Sequence, residues 1–311
     1  MAAERPDANV TSVEVTCTTP VEQVLYSFGK QPDGNSPQAN LVFDGSGNLY
    51  GTATEGGIYG EGTVFKLTPN KGQWTETVLY SFCQLQNCVD GATPRSGLVL
   101  DAAGNLYGTT SAGGAYSGSV GGVVFELTPH PGGTWTEAVL HSFGNGKDGA
   151  GIFISGLVFD SAGNLYGTTS GGGTTSRSIC PDGCGAVFEL SPGPNGQWTE
   201  KVLYEFCSQA DCADGSQPLG GVTLDSSGNL YGTTNLGGTP AQHLYGTVFE
   251  LSPGEAGQWV ETVLYMFQGG TTDGTNPQAG VILDKSGNLY GTTELGYETP
   301  GGDSTTGLCS S

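Results

Sequence analysis

Five aspartates, each followed by glycine, recur 57 to 66 residues apart: Asp33, Asp90, Asp148, Asp214 and Asp273. In four of them a proline follows (Pro37, Pro94, Pro218 and Pro277). A ring of carboxylates could hold a hard cation such as Ca2+, which takes oxygen ligands. The structural alternative is a tight turn, in which the aspartate accepts backbone N–H bonds. No segment has the dense acidic spacing of a calcium loop, so the turn is the expected role and Ca2+ the subordinate one.

A second set of residues lies in glycine-rich segments that differ from one another. These carry Glu55, Tyr59 and Glu61; Tyr116; Arg177 beside Cys180 and Cys184; His243 and Tyr245; and Glu294, Tyr297 and Glu298. Aromatics with Arg and His on loops over a rigid scaffold make a binding surface, and Tyr59, Tyr116, Arg177, His243, Tyr245 and Tyr297 are its expected members. Arg177 stands out as one of nine basic residues. Glu55, Glu61, Glu294 and Glu298 would serve glycoside cleavage only as a pair roughly 5 Å or 6.5–9.5 Å apart. The chain has three histidines and no Ser-His-Asp set, Gly-x-Ser-x-Gly elbow, Walker loop or HExxH sequence. No catalytic residue is assigned.

Eight cysteines sort into local pairs: Cys83/Cys88, Cys180/Cys184 and Cys207/Cys212, with Cys17 and Cys309 near the ends. Paired cysteines also ligate zinc, but no histidine stands at ligand spacing to complete a site. Four disulfides are expected, including Cys17–Cys309, and with them a secreted, periplasmic or cell-surface location. The first residues lack a signal core, so a native signal is expected to be replaced by Met1. No apolar run is long enough to span a bilayer. Thirty Asp+Glu against nine Lys+Arg give a net charge of −21, which argues against nucleic acid and anionic membrane partners.

These residues sit on a repeated frame. The hexapeptide Gly-Asn-Leu-Tyr-Gly-Thr occurs five times, with Asn48, Asn105, Asn164, Asn229 and Asn288 marking the copies. Self-similarity at this period makes the fold a ring or stack of equivalent units. Each copy contains four short runs rich in β-branched and aromatic residues, bounded by Gly, Pro, Asn or Asp, and each run reads as a strand. Asp-x-x-Gly-Asn reads as the turn between the first two. A glycine in the middle of the second run (Gly51, Gly108, Gly167, Gly232, Gly291) points to close approach of a neighbouring sheet. Trp74, Trp135, Trp198 and Trp259 recur at one position of the fourth run and read as structural covers.

Four antiparallel strands per unit identify an all-β, five-bladed β-propeller forming one domain over residues 1–311. The blades fall at about 41–82, 97–143, 156–206, 220–267 and 280–311. The last lacks its outer strands. Residues 10–16 and 22–28 look like those strands and are expected to complete it, leaving no free edge.

The frame Gly-Leu-Val-Phe-Asp-x-x-Gly-Asn-Leu-Tyr-Gly-Thr-Thr, followed by Gly-Gly and Val-Phe-Glu-Leu, resembles the bacterial tandem repeats called GloVer repeats. It is more distantly similar to the blades of NHL and gluconolactonase-like propellers. The resemblance implies an exported repeat protein and carries over no catalytic residue. The expected function is therefore a non-enzymatic binding or scaffold propeller recognising a carbohydrate or protein. A glycan-active hydrolase or lyase using loop carboxylates is one alternative, and a surface assembly module is another. The oligomeric state is left open.

Overall fold

The computed structural model describes residues 23–30, 32–116, 121–145, 148–150, 156–173, 180–238, 245–269 and 273–296. Four units each form a four-stranded antiparallel sheet in sequential order. The first contains β1 (Val42–Phe43), β2 (Leu49–Ala53), β3 (Thr63–Asn70) and β4 (Gln73–Ser81). The second contains β5 (Val99–Leu100), β6 (Leu106–Ala112), β7 (Val123–Pro129) and β8 (Trp135–Ser142), with Ala92–Pro94 also pairing β6. The third contains β9 (Val158–Phe159), β10 (Leu165–Thr169), β11 (Ala186–Pro192) and β12 (Trp198–Glu205). The fourth contains β13 (Thr223–Leu224), β14 (Leu230–Thr234), β15 (Thr247–Pro253) and β16 (Trp259–Met266). Of the fifth, β17 (Ile282–Leu283) and β18 (Leu289–Tyr290) are described. There is no α-helix among the described residues, and the architecture is propeller-like and all-β.

The aspartate turn explains how each unit starts. Asp44 Oδ1 accepts from the N–H groups of Ser46 (2.8 Å) and Asn48 (2.9 Å), and Oδ2 accepts from Asn48 Nδ2 and Tyr50 Oη. Burial pushes the Asp44 carboxyl up, but these donors outweigh it and hold it down at about 2. The same set recurs around Asp101, Asp160, Asp225 and Asp284. A β-bulge at the same step of each third–fourth strand pair, such as Val64/Phe65, bends all four complete sheets alike.

The mid-strand glycines have a different cause from the one expected. A Cβ on Gly108 would lie 2.6 Å from the ring of Phe125, its partner across the same sheet, and 2.8 Å from Leu98. Gly51, Gly167 and Gly232 meet Phe65, Phe188 and Phe249 in the same way. The glycine admits the unit's own phenylalanine, and the neighbouring unit then packs on that ring. Phe82 meets Phe125 at 5.0 Å, Phe143 meets Phe188 at 5.0 Å, and Phe206 meets Phe249 at 5.0 Å, edge-on or tilted. Each of these buried rings contributes roughly 1.5–3 kcal/mol. The tryptophans close the same interfaces, with Tyr50–Trp135, Tyr107–Trp198 and Tyr166–Trp259 all at 6.3 Å.

Residues 23–28 form no strand, yet they are seated on the first unit. Leu25, Tyr26 and Phe28 pack against the core of Leu49, Ala53, Phe65 and Leu67, and Phe28 meets Phe65 at 4.8 Å. This is the place that Phe82, Phe143 and Phe206 take on the following units. Residues 10–16, Cys17 and Cys309 lie outside the described residues. At the two ends of the array apolar faces stand uncovered, for Phe43 on β1 is 64 % exposed, and Leu264 on β16 is 43 % exposed where Leu203 on β12 is 8 %.

Candidate functional site

Each linker between units begins directly after the core phenylalanine and carries one of the five aspartates. Tyr80 Oη donates to Asp90 (2.9 Å), Tyr204 Oη to Asp214 (2.8 Å), Tyr26 Oη to Asp33 (3.0 Å) and Tyr265 Oη to Asp273 (3.1 Å). In the linker after the second unit, His141 Nε2 takes the tyrosine's part at 3.0 Å from Asp148. Backbone N–H groups add to this, from Gln84 and Leu85 to Asp90 and from Ser208 and Gln209 to Asp214. Asp90 and Asp214 are fully buried. Burial, reinforced by neighbouring carboxylates, pushes the Tyr80 and Tyr204 hydroxyls well above the usual range, so both remain donors. The aspartates thus close turns with protein donors on their oxygens.

Sequence reasoning missed a glutamate that faces four of these five turns from the next unit's fourth strand. Glu76 feels the charge of Asp33, Glu137 that of Asp90, Glu200 that of Asp148, and Glu261 that of Asp214. The Oε1 of all four is buried without a hydrogen-bond partner. Burial first, and then the facing aspartate, pushes Glu137 up to about 8 and Glu76 and Glu261 up to about 7. Glu200 is also raised by burial, but His141 opposes the rise. The signal available in the sequence was the repeated Trp-x-Glu, at Trp74, Trp135, Trp198 and Trp259.

The variable loops are fastened to these linkers. The second glycine of each Gly-Gly donates its N–H to a linker carbonyl: Gly57 to Asp33, Gly114 to Cys88, Gly173 to Asp148 and Gly238 to Cys212, at 2.9–3.0 Å. All four have a positive φ, from +75° to +101°, which favours glycine. The two loop sets therefore meet in each of these four units. Tyr59 and Tyr116 each follow the tethered glycine by two residues and are 46 % and 47 % exposed. Ile58 beside Tyr59 is exposed too. Tyr245 differs, because this half-buried residue sets its ring against Gly269 in the next linker. Glu55, Glu61 and Glu294 are exposed, with Glu55 accepting from Asn35 Nδ2 and Glu294 from Gln278 Nε2. Arg177, His243, Tyr297 and Glu298 lie outside the described residues.

Disulfides join Cys83–Cys88, Cys180–Cys184 and Cys207–Cys212. The first and third staple the linkers around Asp90 and Asp214. Cys180 and Cys184, in the third variable loop, pack against Cys207 and Cys212 in one buried cluster. The sulfurs of Cys180, Cys184 and Cys207 lie within 4.8 Å of one another. Among the described residues, no helix is long and apolar enough to cross a membrane. A depression of 450 Å³ between the second and third units is walled by Tyr107, Phe159 and Trp198. Asp101 and Asp160, also on its wall, are engaged in their hairpin turns.

This is a propeller-like array of four-stranded units whose linkers and loops converge. The chain belongs to the Gloeobacter/Verrucomicrobia repeat family, whose profile matches residues 3–211 and 174–307. No curated protein matches it. Among solved structures it is similar to a bifunctional GH43-CE protein of Bacteroides eggerthii, with 14% identity and TM-score 0.39 over 84% of this chain and 31% of that one. It is also similar to a PL25 ulvan lyase bound to -[GlcA(1-4)Rha3S]-, with 12% identity and TM-score 0.45 over 83% of this chain and 65% of that one. A third is a putative oxidoreductase (glucose dehydrogenase) of Thermus thermophilus, with 15% identity and TM-score 0.33 over 84% and 91% of the two chains. The chain thus spans about a third and two thirds of the first two.

Proposed function

We propose that the chain is an exported, non-enzymatic binding or scaffold protein that recognises a carbohydrate or protein across its variable-loop face. In this reading it is a five-bladed propeller whose last blade draws its outer strands from the N-terminal segment. The observation that carries the binding assignment is the pair Tyr59 and Tyr116. Both present half-exposed rings from loops locked to the linkers by Gly57 and Gly114. Rings held this way lose little freedom on binding, which favours contact with sugar faces or peptide side chains. Arg177, His243, Tyr245 and Tyr297 are assigned to the same face. The linker aspartates are assigned to turns rather than to Ca2+, because tyrosine, histidine and backbone donors occupy their oxygens. Three disulfides support a secreted, periplasmic or surface location.

The test is a glycan array with the wild type and the Tyr59→Ala/Tyr116→Ala variant, followed by a hydrolysis assay on the hits. Binding weakened about tenfold or more in the variant, without turnover, supports the assignment (roughly 1.4 kcal/mol). Turnover of a bound glycan replaces it with the hydrolase or lyase reading. Unchanged binding moves the site off this face.

A further inference from the structure

The fourth and fifth units flank a cavity of about 480 Å³, lined by Val248, Leu264, Phe267, Val281, Leu289 and Gly291 among others. Its origin is visible by comparison. In the four complete units the mid-strand glycine is covered by the third strand's phenylalanine, 2.6–2.8 Å from a built Cβ. At Gly291 the corresponding neighbour among the described residues is Val281, at 3.3 Å. Phe82, Phe143 and Phe206 are fully buried against the ring of the next unit, whereas Phe267 is half-buried and, among the described residues, its ring meets Tyr265 of its own segment. The cavity has the position of a third strand beside β18.

We propose that this cavity is a strand-acceptor groove, and that its occupant is the stretch of residues 10–13 of the same chain. The inference rests on the five-blade reading and deepens it by naming strand and register. In the complete units the third-strand phenylalanine precedes the one ending the fourth strand by 17 or 18 residues (Phe65 to Phe82, Phe125 to Phe143, Phe188 to Phe206, Phe249 to Phe267). Phe28 sits where a fourth strand ends, packed on Phe65. Counting back 17 residues, the spacing of the first unit on which Phe28 is seated, reaches Thr11, so that Val10, Thr11 and Val13 stand where that unit has Val64, Phe65 and Leu67, whereas the spacing of 18 in the other three units would reach Val10. In that unit Val64 pairs with Thr52 and Leu67 with Leu49. The same register puts Val10 opposite Thr292 and Val13 opposite Leu289.

A second copy could offer the same strand. The intrachain segment has the advantage of an effective concentration on the order of millimolar, since it is tethered one hairpin away from residues already seated on the first unit. The groove also continues an interface that the chain makes three times between complete units. Thr11 replaces phenylalanine, so the strand fills the register and leaves the ring's volume empty.

The test is a Val10→Cys/Thr292→Cys variant of the full chain, oxidised and mapped by mass spectrometry of non-reduced peptides. A 10–292 link in monomeric protein is expected, at least fivefold more abundant than an 11–292 link in the Thr11→Cys/Thr292→Cys control. A 10–292 link confined to dimers would assign the groove to a second copy and overturn the intrachain occupant. No link in folded protein would overturn the groove itself. Should the cysteine variants not fold, Thr11→Phe provides the second measurement, since a ring at this position covers Gly291 and meets Phe267. It is expected to raise Tm by about 2–4 °C, and an unchanged or lower Tm counts against the register. Loss of ligand binding at the loop face would leave these outcomes untouched, so the two readings fail separately.

Discussion

The linker after the second unit and the linker after the third make the same turn with different chemistry. Both place a left-handed residue directly after the core phenylalanine. After Phe143 that residue is Gly144, with φ +106°, and after Phe206 it is Cys207, with φ +60°. Glycine adopts this region freely, whereas a residue with a Cβ loses roughly 1–2 kcal/mol there. The Cys207–Cys212 bridge offsets that strain by restricting the unfolded chain. Phe28–Gly29 repeats the first solution, with φ +120°, and Phe82–Cys83 the second, with φ +63°. The backbone requirement is therefore common to these linkers, and the staple is a second way to meet it.

The largest expected effect comes from cutting the staple. Cys207→Ser/Cys212→Ser should lose about 2–3 kcal/mol in urea unfolding, from the lost cross-link and two buried hydroxyls. Cys207→Gly/Cys212→Ala should recover about 1 kcal/mol of that, because glycine relieves the left-handed strain. Equal losses in the two variants would remove backbone conformation as the shared cause.

Next comes the aspartate inside the turn. Asp214 accepts from Tyr204 Oη, the N–H and hydroxyl of Ser208 and the Gln209 N–H while fully buried. Asp214→Asn turns one acceptor oxygen into a donor facing donors, and should lose about 2 kcal/mol. Asp148→Asn should lose a similar amount, since the carboxylate also accepts from the Gly144 and Asn145 N–H groups. A loss confined to one of the two would break the equivalence of His141 and tyrosine as partners of the linker aspartate.

The facing glutamates give the comparison its pH dependence. Their folded-state carboxyls lie above the ordinary value of 4.5, at about 8 for Glu137 and about 7 for Glu76 and Glu261. The folded state therefore binds protons more tightly than the unfolded chain. This contribution is fully present below the ordinary value and is lost as pH rises toward 8. Melting curves from pH 5 to pH 8.5 should show Tm falling, and Glu137→Gln should flatten that fall more than Glu200→Gln. The other order would mean that His141 does not shield Glu200.

Much of this was legible because it repeats. The Asp-x-x-Gly-Asn turn, the four strands and the tryptophan position follow from residue types at fixed spacing, and the hairpin hydrogen bonds are local. What the spacing could not show is which side chain lies across which strand. The mid-strand glycines were therefore referred to a neighbouring sheet, although Phe125 and its equivalents in the same sheet require them. Glu137 and its counterparts alternate with exposed residues along the fourth strand, and nothing in their spacing marks them as buried. Their contact with the linker aspartates arises only when one unit stacks on the next. The exposed Phe43 and Leu264 show the limit from the other side, since repetition defines an interface without saying what occupies its last copy.

The smallest expected effect is the most specific. His141→Tyr restores the residue that the other linkers use, and the new hydroxyl would donate to Asp148 as Tyr80 does to Asp90. The hydrogen bond is kept and the ring still packs edge-on against Phe143, as His141 does at 4.5 Å. Stability at pH 8 should therefore change by no more than about 0.5 kcal/mol. What should change is the pH profile. Without the imidazole, nothing in the linker opposes the rise that burial and Asp148 impose on Glu200. The carboxyl should move up toward the Glu137 value, and Tm should then fall more steeply between pH 5 and pH 8 than in the wild type. An unaltered slope would show that the histidine serves only as a hydrogen-bonding substitute for tyrosine, and that the two kinds of linker differ in backbone alone.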